Sequence, residues 1–295
     1  MKKVVVLAGG DSSEREVSLR SGIGVARALK EAGFAVTILD PAEPGFPGKL
    51  LKIKNVYAVF IALHGGKGED GTIQGFLETI GLFYTGSGIM ASGLAMDKIL
   101  SKNIFISAGL PVPPACSSRD FPLVVKPARG GSTLGISIVK KKAGLAAALN
   151  LARKYDARIL TEKFIAGTEI TVGILGNDDP RILPAIQIVP ASGFYDYRAK
   201  YVPGASRHLI PPELPQKWVS RASEVVLAAH RLLGCRGLSR SEVIIDQKGN
   251  PYLLDVNTIP GFTATSLFPE AAAAAGISFG ELTRKLVELA RDNRV

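Results

Sequence analysis

The sequence predicts an α/β fold that opens with a parallel sheet and closes with a β-hairpin carrying acidic residues. Three observations lead to it. Residues 3–8 read as a buried strand, and Val56–Leu63 is continuously apolar, the pattern of a strand covered on both faces. Stretches with helical character separate these strands, as crossover connections require. Near the end, Glu242–Asp246 and Tyr252–Val256 flank a Gln-Lys-Gly-Asn turn and read as a hairpin.

Composition narrows the classes. At 295 residues and 46% hydrophobic content, the chain has room for two or three compact domains. Two cysteines, Cys116 and Cys235, lie far apart, which excludes a stapled secreted fold, a zinc knuckle and a Cys-x-x-Cys redox pair. The formal charge of +10 raises the question of nucleic acid. Lys and Arg are scattered, however, and the longest basic run is Lys140–Lys142, with no aromatic interleaving or zinc-finger spacing. No nucleic-acid partner is expected; anionic small-molecule substrates suit the charge equally well. The start, MKKVVVLAGG, has a signal peptide's charged opening, but the apolar run soon meets Asp11, Glu14, Arg15 and Glu16 and reads as a buried strand. No apolar stretch approaches the ~18 residues of a membrane helix, so a cytoplasmic protein without a membrane partner is expected.

In chain order, the strand at 3–8 ends in Gly9-Gly10, which permit a tight turn, and Ser12 or Ser13 can cap a helix running through Ala32. Glu14 and Glu16 complement that helix's dipole, and they also sit where open α/β sheets bind ligands. Gly33 ends the helix, Val36–Leu39 is a second strand, and Pro41–Gly48 reads as a turn-rich loop. The third strand runs into His64-Gly65-Gly66-Lys67-Gly68-Glu69-Asp70-Gly71. Its glycines match a dinucleotide fingerprint, but Glu69 and Asp70 would repel a pyrophosphate, and the fingerprint is rejected. The spacing of Ile89, Leu94 and Ile99 predicts a helix carrying Lys98. Pro111–Pro114 marks a linker. A strand then brings Lys126 to the head of a Gly/Ser loop, 129–135, whose N–H groups can hold an oligophosphate. A helix over 143–154 and strands at Ile159–Ile165, Thr171–Leu175 and Leu183–Ile188 follow. Phe194–Tyr201 has no clean period, and residues 213–233 form a helix leading back to the hairpin. There, alternation places Asp255 and Asn257 on one face, and cross-strand pairing can bring Glu242 beside them. Two carboxylates and an amide oxygen form a set suited to a hard divalent cation. After the Pro260-Gly261 turn, the hydroxyls and free N–H groups of Thr263–Ser266 can open a helix and hold an anion.

Taken together and in order, these strings resemble the D-alanine–D-alanine ligases of the ATP-grasp superfamily. The carriers are GG-x-S-x-E-R-E-V-S-L at 9–19, HGG-x-GEDGT-x-QG at 64–75, MDK at 96–98, the lysine and glycine-rich loop at 126–135, FYDY-x-AKY at 194–201, and the acids, Asn-Thr and Pro-Gly of the closing hairpin. The resemblance implies a three-domain ATP-grasp fold: an N-terminal substrate-binding domain at 1–92, and ATP-clamping domains at 93–164 and 165–295. It implies ligation of two D-alanines through an acyl phosphate for peptidoglycan synthesis, by a cytoplasmic homodimer. Rival readings are an ester-forming ligase using a 2-hydroxy acid, and an inactive nucleotide-binding homologue.

Residue by residue, Glu14 would anchor the first substrate's amino group, with His64 beside its carboxylate. Lys98, Lys126 and Lys200 would reach the nucleotide phosphates and Ser132 would lie near the substrates. Glu162, Lys163, Phe164 and Ile165 would form the adenine hinge, and Glu169 would bind the ribose. Tyr201 would approach the second substrate. Arg240 and the Gly261 N–H would stabilise an oxyanion, while Ser266 and Leu267 receive a carboxylate. Glu242, Asp255 and Asn257 would hold two Mg²⁺ ions, with Mn²⁺ as a substitute. Here the chain departs from the family pattern, in which the first acid is aspartate and the second glutamate. A second departure is the short span from Pro111 to Val124, which lacks the family's helix before the lysine strand.

Overall fold

In a computed structural model of the chain, residues 1–117, 120–191, 204–263 and 266–292 are described. Three sheets organise them. The first is parallel, with β1 (Lys3–Leu7) between β2 (Ala35–Leu39) and β3 (Val56–Ile61). From Val4 to Leu7 its central strand is apolar because both faces are covered. Val4 and Val6 face one core with Val25 and Leu29 of α1 (Arg15–Glu31); Val5 and Leu7 face another with Leu50, Ile73 and Leu77. The first of these cores also takes Phe268, Leu282 and Leu286 from the two last helices, α8 (Leu267–Ala274) and α9 (Phe279–Arg291).

The stretch Pro41–Gly48, expected as loop, instead opens a short helix, α2 (Phe46–Lys52). Pro47 falls in its first turn, where the missing N–H has no helical partner to lose, so proline does not bar the helix. After α3 (Thr72–Thr79), the single helix expected around Ile89–Ile99 is two: α4 (Ile89–Met96) and α5 (Lys98–Ser107). The break is Asp97, extended at φ −96°, ψ 98°, whose Oδ1 accepts from the N–H groups of Ile99 and Leu100. An N-cap competes with helix continuation at this point and wins.

The second sheet is antiparallel, with β4 (Leu123–Pro127) between β5 (Ser137–Val139) and β6 (Ile159–Lys163). Leu123 and Val125 pack on Ala148 and Ala152 of α6 (Leu145–Arg153), so alternation turns Val124 and Lys126 to the opposite, cavity-lining face. Among the described residues between Ser107 and Leu123 there is no helix.

The third sheet runs β10-β9-β7-β11-β12, with β8 (Arg181–Ile182) beside β7. Its strands are β7 (Gly167–Gly176), β9 (Ile186–Pro190), β10 (Ser206–Leu209), β11 (Gly237–Asp246) and β12 (Pro251–Asn257). One face buries Val172, Ile174 and Val243 against Val226 and Ala229 of α7 (Gln216–Leu232).

Two glycines in α1 test this packing. A Cβ on Gly22 would lie 2.3 Å from the Ala8 Cβ, whereas one on Gly24 meets nothing nearer than the Phe279 ring at 4.0 Å. Gly22→Ala must push α1 off the sheet and is expected to cost about 1–3 kcal/mol. Gly24→Ala, which only relieves glycine's entropy in a helix interior, should stabilise by about 0.5–1 kcal/mol. Calorimetric melting should move down for the first variant and up for the second.

Candidate active site

The carboxyl ends of β1 and β3 hold the first cluster. Ser12 does not cap α1. Its hydroxyl donates to the His64 carbonyl at 2.5 Å and accepts from the Glu14 N–H at 3.1 Å, tying the two loops together. Gly65, at φ +71°, lets these loops approach, since a Cβ there would stand 2.9 Å from a Glu14 carboxylate oxygen. Glu14 is buried and accepts a hydrogen bond from the hydroxyl of Ser132, on the glycine-rich loop 118 positions later. The His64 ring lies 3.0 Å from the Ser21 hydroxyl, with its other nitrogen 3.9 Å from Glu69. Burial lowers the His64 pKa against the pull of Glu14, so the imidazole is neutral. Glu69 accepts the Gly65 N–H at 2.8 Å; burial and the nearby Glu14 carboxylate push its carboxyl up to about 8.

Between the second and third sheets lies a cavity of about 470 Å³. Val124, Lys126 and Ile138 wall it on one side, and Glu169, Ile188 and Ile244 on the other. Lys163, Phe164 and Ile165 line it past the end of β6, where the Lys163 and Phe164 N–H groups donate to the carbonyls of Pro114 and Pro122. Glycine-rich loop residues 130–134 form its rim, with Ser132 and Thr133 held at φ +52° and +61°. Such left-handed geometry is costly for threonine and implies a loop shape fixed by its surroundings. Those surroundings are explicit at the loop's base. Lys98 donates from its N–H to the Ala128 carbonyl at 2.9 Å and from Nζ to the Gly130 carbonyl at 2.5 Å. Asp97 accepts from Arg129 at 3.3 Å and from Arg158 at 2.5 Å.

Lys126 meets Glu162 at 2.5 Å, and the other oxygen of that carboxylate forms an ion pair with Lys102. All three side chains are buried. Burial, reinforced by the charge of Lys126, lowers the Lys102 ammonium to about 8 although Glu162 opposes it. Burial would raise the Glu162 carboxyl, but the two lysines outweigh it and hold it below the usual range.

At the cavity's inner end the hairpin pairs Glu242 with Asp255 and Arg240 with Asn257, a bulge following Glu242. The Arg240 guanidinium donates to Glu242 at 2.8 Å, and the Asn257 side-chain oxygen accepts the Ile259 N–H at 2.8 Å. A smaller cavity joins this end to the first cluster: Glu69, Lys98 and Ser132 line it together with Arg240, Glu242 and Asp255. Among the described residues no three His, Cys, Asp or Glu side chains gather as a metal cage. Two carboxylates and an amide oxygen instead suit Mg²⁺, which takes few protein ligands and completes its shell with water and phosphate. Beyond the Gly261 turn, Ser266 accepts the Thr263 N–H at 3.0 Å and stands at the start of α8, whose first residue is Leu267.

The structure thus gathers Ser132, Lys98, Lys126, Arg240, Glu242, Asp255 and Asn257 around two adjoining cavities, with Glu14 hydrogen-bonded to Ser132 and His64 lining a separate cavity at the carboxyl ends of β1 and β3. It ties both oxygens of Glu162 to lysines. Lys200 and Tyr201 lie outside the described residues. Sequence reading missed Glu69, used there only as an argument against a pyrophosphate, and it missed Asp97 and Lys102. An Asp immediately before a helical lysine was a readable capping signal. The partnership of Lys102 with Glu162, sixty positions away, had no local signal.

The chain is similar to known proteins over nearly its whole length. Residues 110–288 match the D-ala D-ala ligase C-terminus family model and residues 42–87 match the D-ala D-ala ligase N-terminus model. A D-alanine–D-alanine ligase of Pelotomaculum thermopropionicum is 50% identical over 99% of this chain and 97% of its own. One from Desulforudis audaxviator is 47% identical over 99% of both. The crystal structure of a Bacillus anthracis D-alanine–D-alanine ligase superposes with a TM-score of 0.86 at 34% identity, covering 99% of this chain and 98% of that one. The Bacillus anthracis enzyme complexed with ATP also gives 0.86, at 32% identity and the same coverage.

Glu69 supplies a pH test. Its carboxyl titrates at about 8 in the folded chain against 4.5 ordinarily. Between those values the unfolded chain has lost a proton that the folded chain keeps, so stability falls as pH rises through that window. Glu69→Gln removes the effect. Its melting temperature should therefore drop less than the native one between pH 5 and pH 8; parallel curves would mean that Glu69 is ionised in the fold.

Proposed function

The chain belongs to the D-alanine–D-alanine ligase family of ATP-grasp enzymes, and from that premise we propose how its own residues join two D-alanines with cleavage of ATP to ADP. The observation that carries the reading is the convergence of two cationic phosphate-binding positions, Lys98 and Lys126, with the Glu14–Ser132 contact and the Arg240–Glu242–Asp255 group around connected cavities. The adenine end is the apolar stretch past β6, with Glu169 in reach of the ribose.

Glu14 holds the ammonium of the first D-alanine, and the neutral His64 lies beside its carboxylate. That carboxylate attacks the γ-phosphorus; ADP leaves and an acyl phosphate forms. The amine of the second D-alanine then attacks the acyl carbon, and phosphate departs from the tetrahedral intermediate. Arg240 and the Gly261 N–H stabilise the oxyanion, a role in which one donor is typically worth ~10²–10³ in rate. The start of α8, at Ser266 and Leu267, receives the second carboxylate. Glu242, Asp255 and Asn257 are the residues that would hold two Mg²⁺ ions, which when bound neutralise phosphate charge. Tyr201 and Lys200 complete the second-substrate and phosphate contacts in this reading. The product serves peptidoglycan precursor synthesis in the cytoplasm. The same reading includes two paired copies and the division at 1–92, 93–164 and 165–295. No helix among the described residues is long and apolar enough to cross a membrane.

ADP release coupled to a dehydrogenase assay, with ATP, Mg²⁺ and D-alanine, tests the reaction; release that does not depend on D-alanine would sink it. The exchanged acids give a second test. Because Glu242 and Asp255 are directly opposed in register, the longer side chain on one strand compensates the shorter on the other. Glu242→Asp and Asp255→Glu should each lower turnover by at least tenfold, and the double variant should recover part of the loss. Additive losses in that cycle would show the two positions to be independent.

A further inference from the structure

Three lysines crowd the phosphate end of the cavity, and only two of them touch it. Lys98 and Lys126 line the space; Lys102 does not. It sits one helical turn beyond Lys98 on α5, 5% exposed, behind the Lys126–Glu162 pair. Its ammonium forms an ion pair with Glu162 without hydrogen-bond geometry, and the Asp255 carboxylate also acts on it through charge. A buried ammonium is expensive, and apolar side chains of similar volume would stabilise a core at least as well. Stability alone therefore does not account for a lysine at this position.

Charge does account for it. Without Lys102, Lys126 and Glu162 would form a closed, neutral ion pair, and the lysine would face the cavity already compensated. With Lys102 on the second oxygen, two ammonium groups share one carboxylate, and one net positive charge is left at the cavity wall. We propose that Lys102 is a positioning residue for phosphate binding: by occupying one oxygen of Glu162, it keeps Lys126 available to an anionic oligophosphate that Lys102 itself never touches. This rests on the reading that the cavity takes ATP.

A double-mutant cycle separates this role from a structural one. ATP is titrated calorimetrically, without D-alanine, into the native protein, Lys102→Met, Glu162→Gln and the double variant. Lys102→Met should weaken ATP binding at least tenfold, about 1.4 kcal/mol. In the Glu162→Gln background, where no carboxylate is left to compensate Lys126, the same Lys102→Met change should cost less than threefold in ATP affinity and in ATP KM, whatever Glu162→Gln itself costs. A residue that merely supports the fold would instead cost the same in both backgrounds, and that result would overturn the proposal. So would native affinity in Lys102→Met. If that variant does not fold, Lys102→Gln, which keeps a donor for Glu162 without the charge, serves in its place and native affinity there is equally fatal. Failure of the native protein to bind ATP would overturn the functional reading as well; native binding with unchanged variants overturns only the role of Lys102.

Discussion

A buried carboxylate, Asp97, is the joint on which the base of the glycine-rich loop depends. It caps α5 from the break between two helices, and so fixes Lys98 and Lys102 on the turns that follow. Its other oxygen takes Arg129, at the head of the glycine-rich loop, and Arg158, just before β6. Burial alone would raise the carboxyl's pKa, yet the hydrogen bonds from Arg158 and the Leu100 N–H outweigh it and hold the group ionised. One fully buried charge thus gathers a helix start, a loop base and a strand entry, three segments that meet nowhere else in sequence. Removing Asp97 would uncap α5 and release Arg129 and Arg158, both solvent-exposed, from the segments that the carboxylate gathers.

From this joint the loop reaches back to the first sheet. Lys98 holds the Gly130 carbonyl, and two residues on, Ser132 donates to Glu14. The cluster at the carboxyl ends of β1 and β3 and the cavity between the second and third sheets are therefore parts of one hydrogen-bonded assembly. The third sheet joins them through its hairpin, whose register is set by side-chain alternation on a strand buried on one face. The sharing of the first core with α8 and α9 keeps the Gly261 turn against β3, where Phe262 packs edge-on to Phe60 at 5.5 Å. Rigid elements, rather than loops alone, carry the groups that must converge.

Much of this was readable before the structure. Val56–Ile61 and Val4–Leu7 show as unbroken apolar runs because both faces of the sheet are buried, and the hairpin shows in its two runs and turn, although the bulge that sets Glu242 opposite Asp255 does not. What was not readable falls into two kinds. Local competition decided α2 and the break at Asp97, where a proline inside a helix and a cap inside an apolar period each run against the simple pattern. Long-range burial decided the rest: Glu69 reads as a solvated acid in a glycine loop until the loop folds over it, and Glu162 reads as a strand residue until two lysines from other elements enclose it. Periodicity reports which face a residue occupies. It does not report which distant charge waits on that face.

The net charge of +10 has the same explanation. Lys98, Lys102 and Lys126 are each 7% exposed or less, and so contribute no surface stripe for a polyanion to follow. Their charges are directed inward, at the end of a cavity where Glu242 and Asp255 stand close by. Cations and acids left side by side in a dry cleft would ordinarily neutralise one another as direct pairs. Here Glu242 takes Arg240, Lys126 takes Glu162 and Lys98 takes a backbone carbonyl. This arrangement holds those three charged groups in place. It leaves lysine charge and carboxylate oxygens at the same space, the combination that a phosphate chain carrying a divalent cation requires.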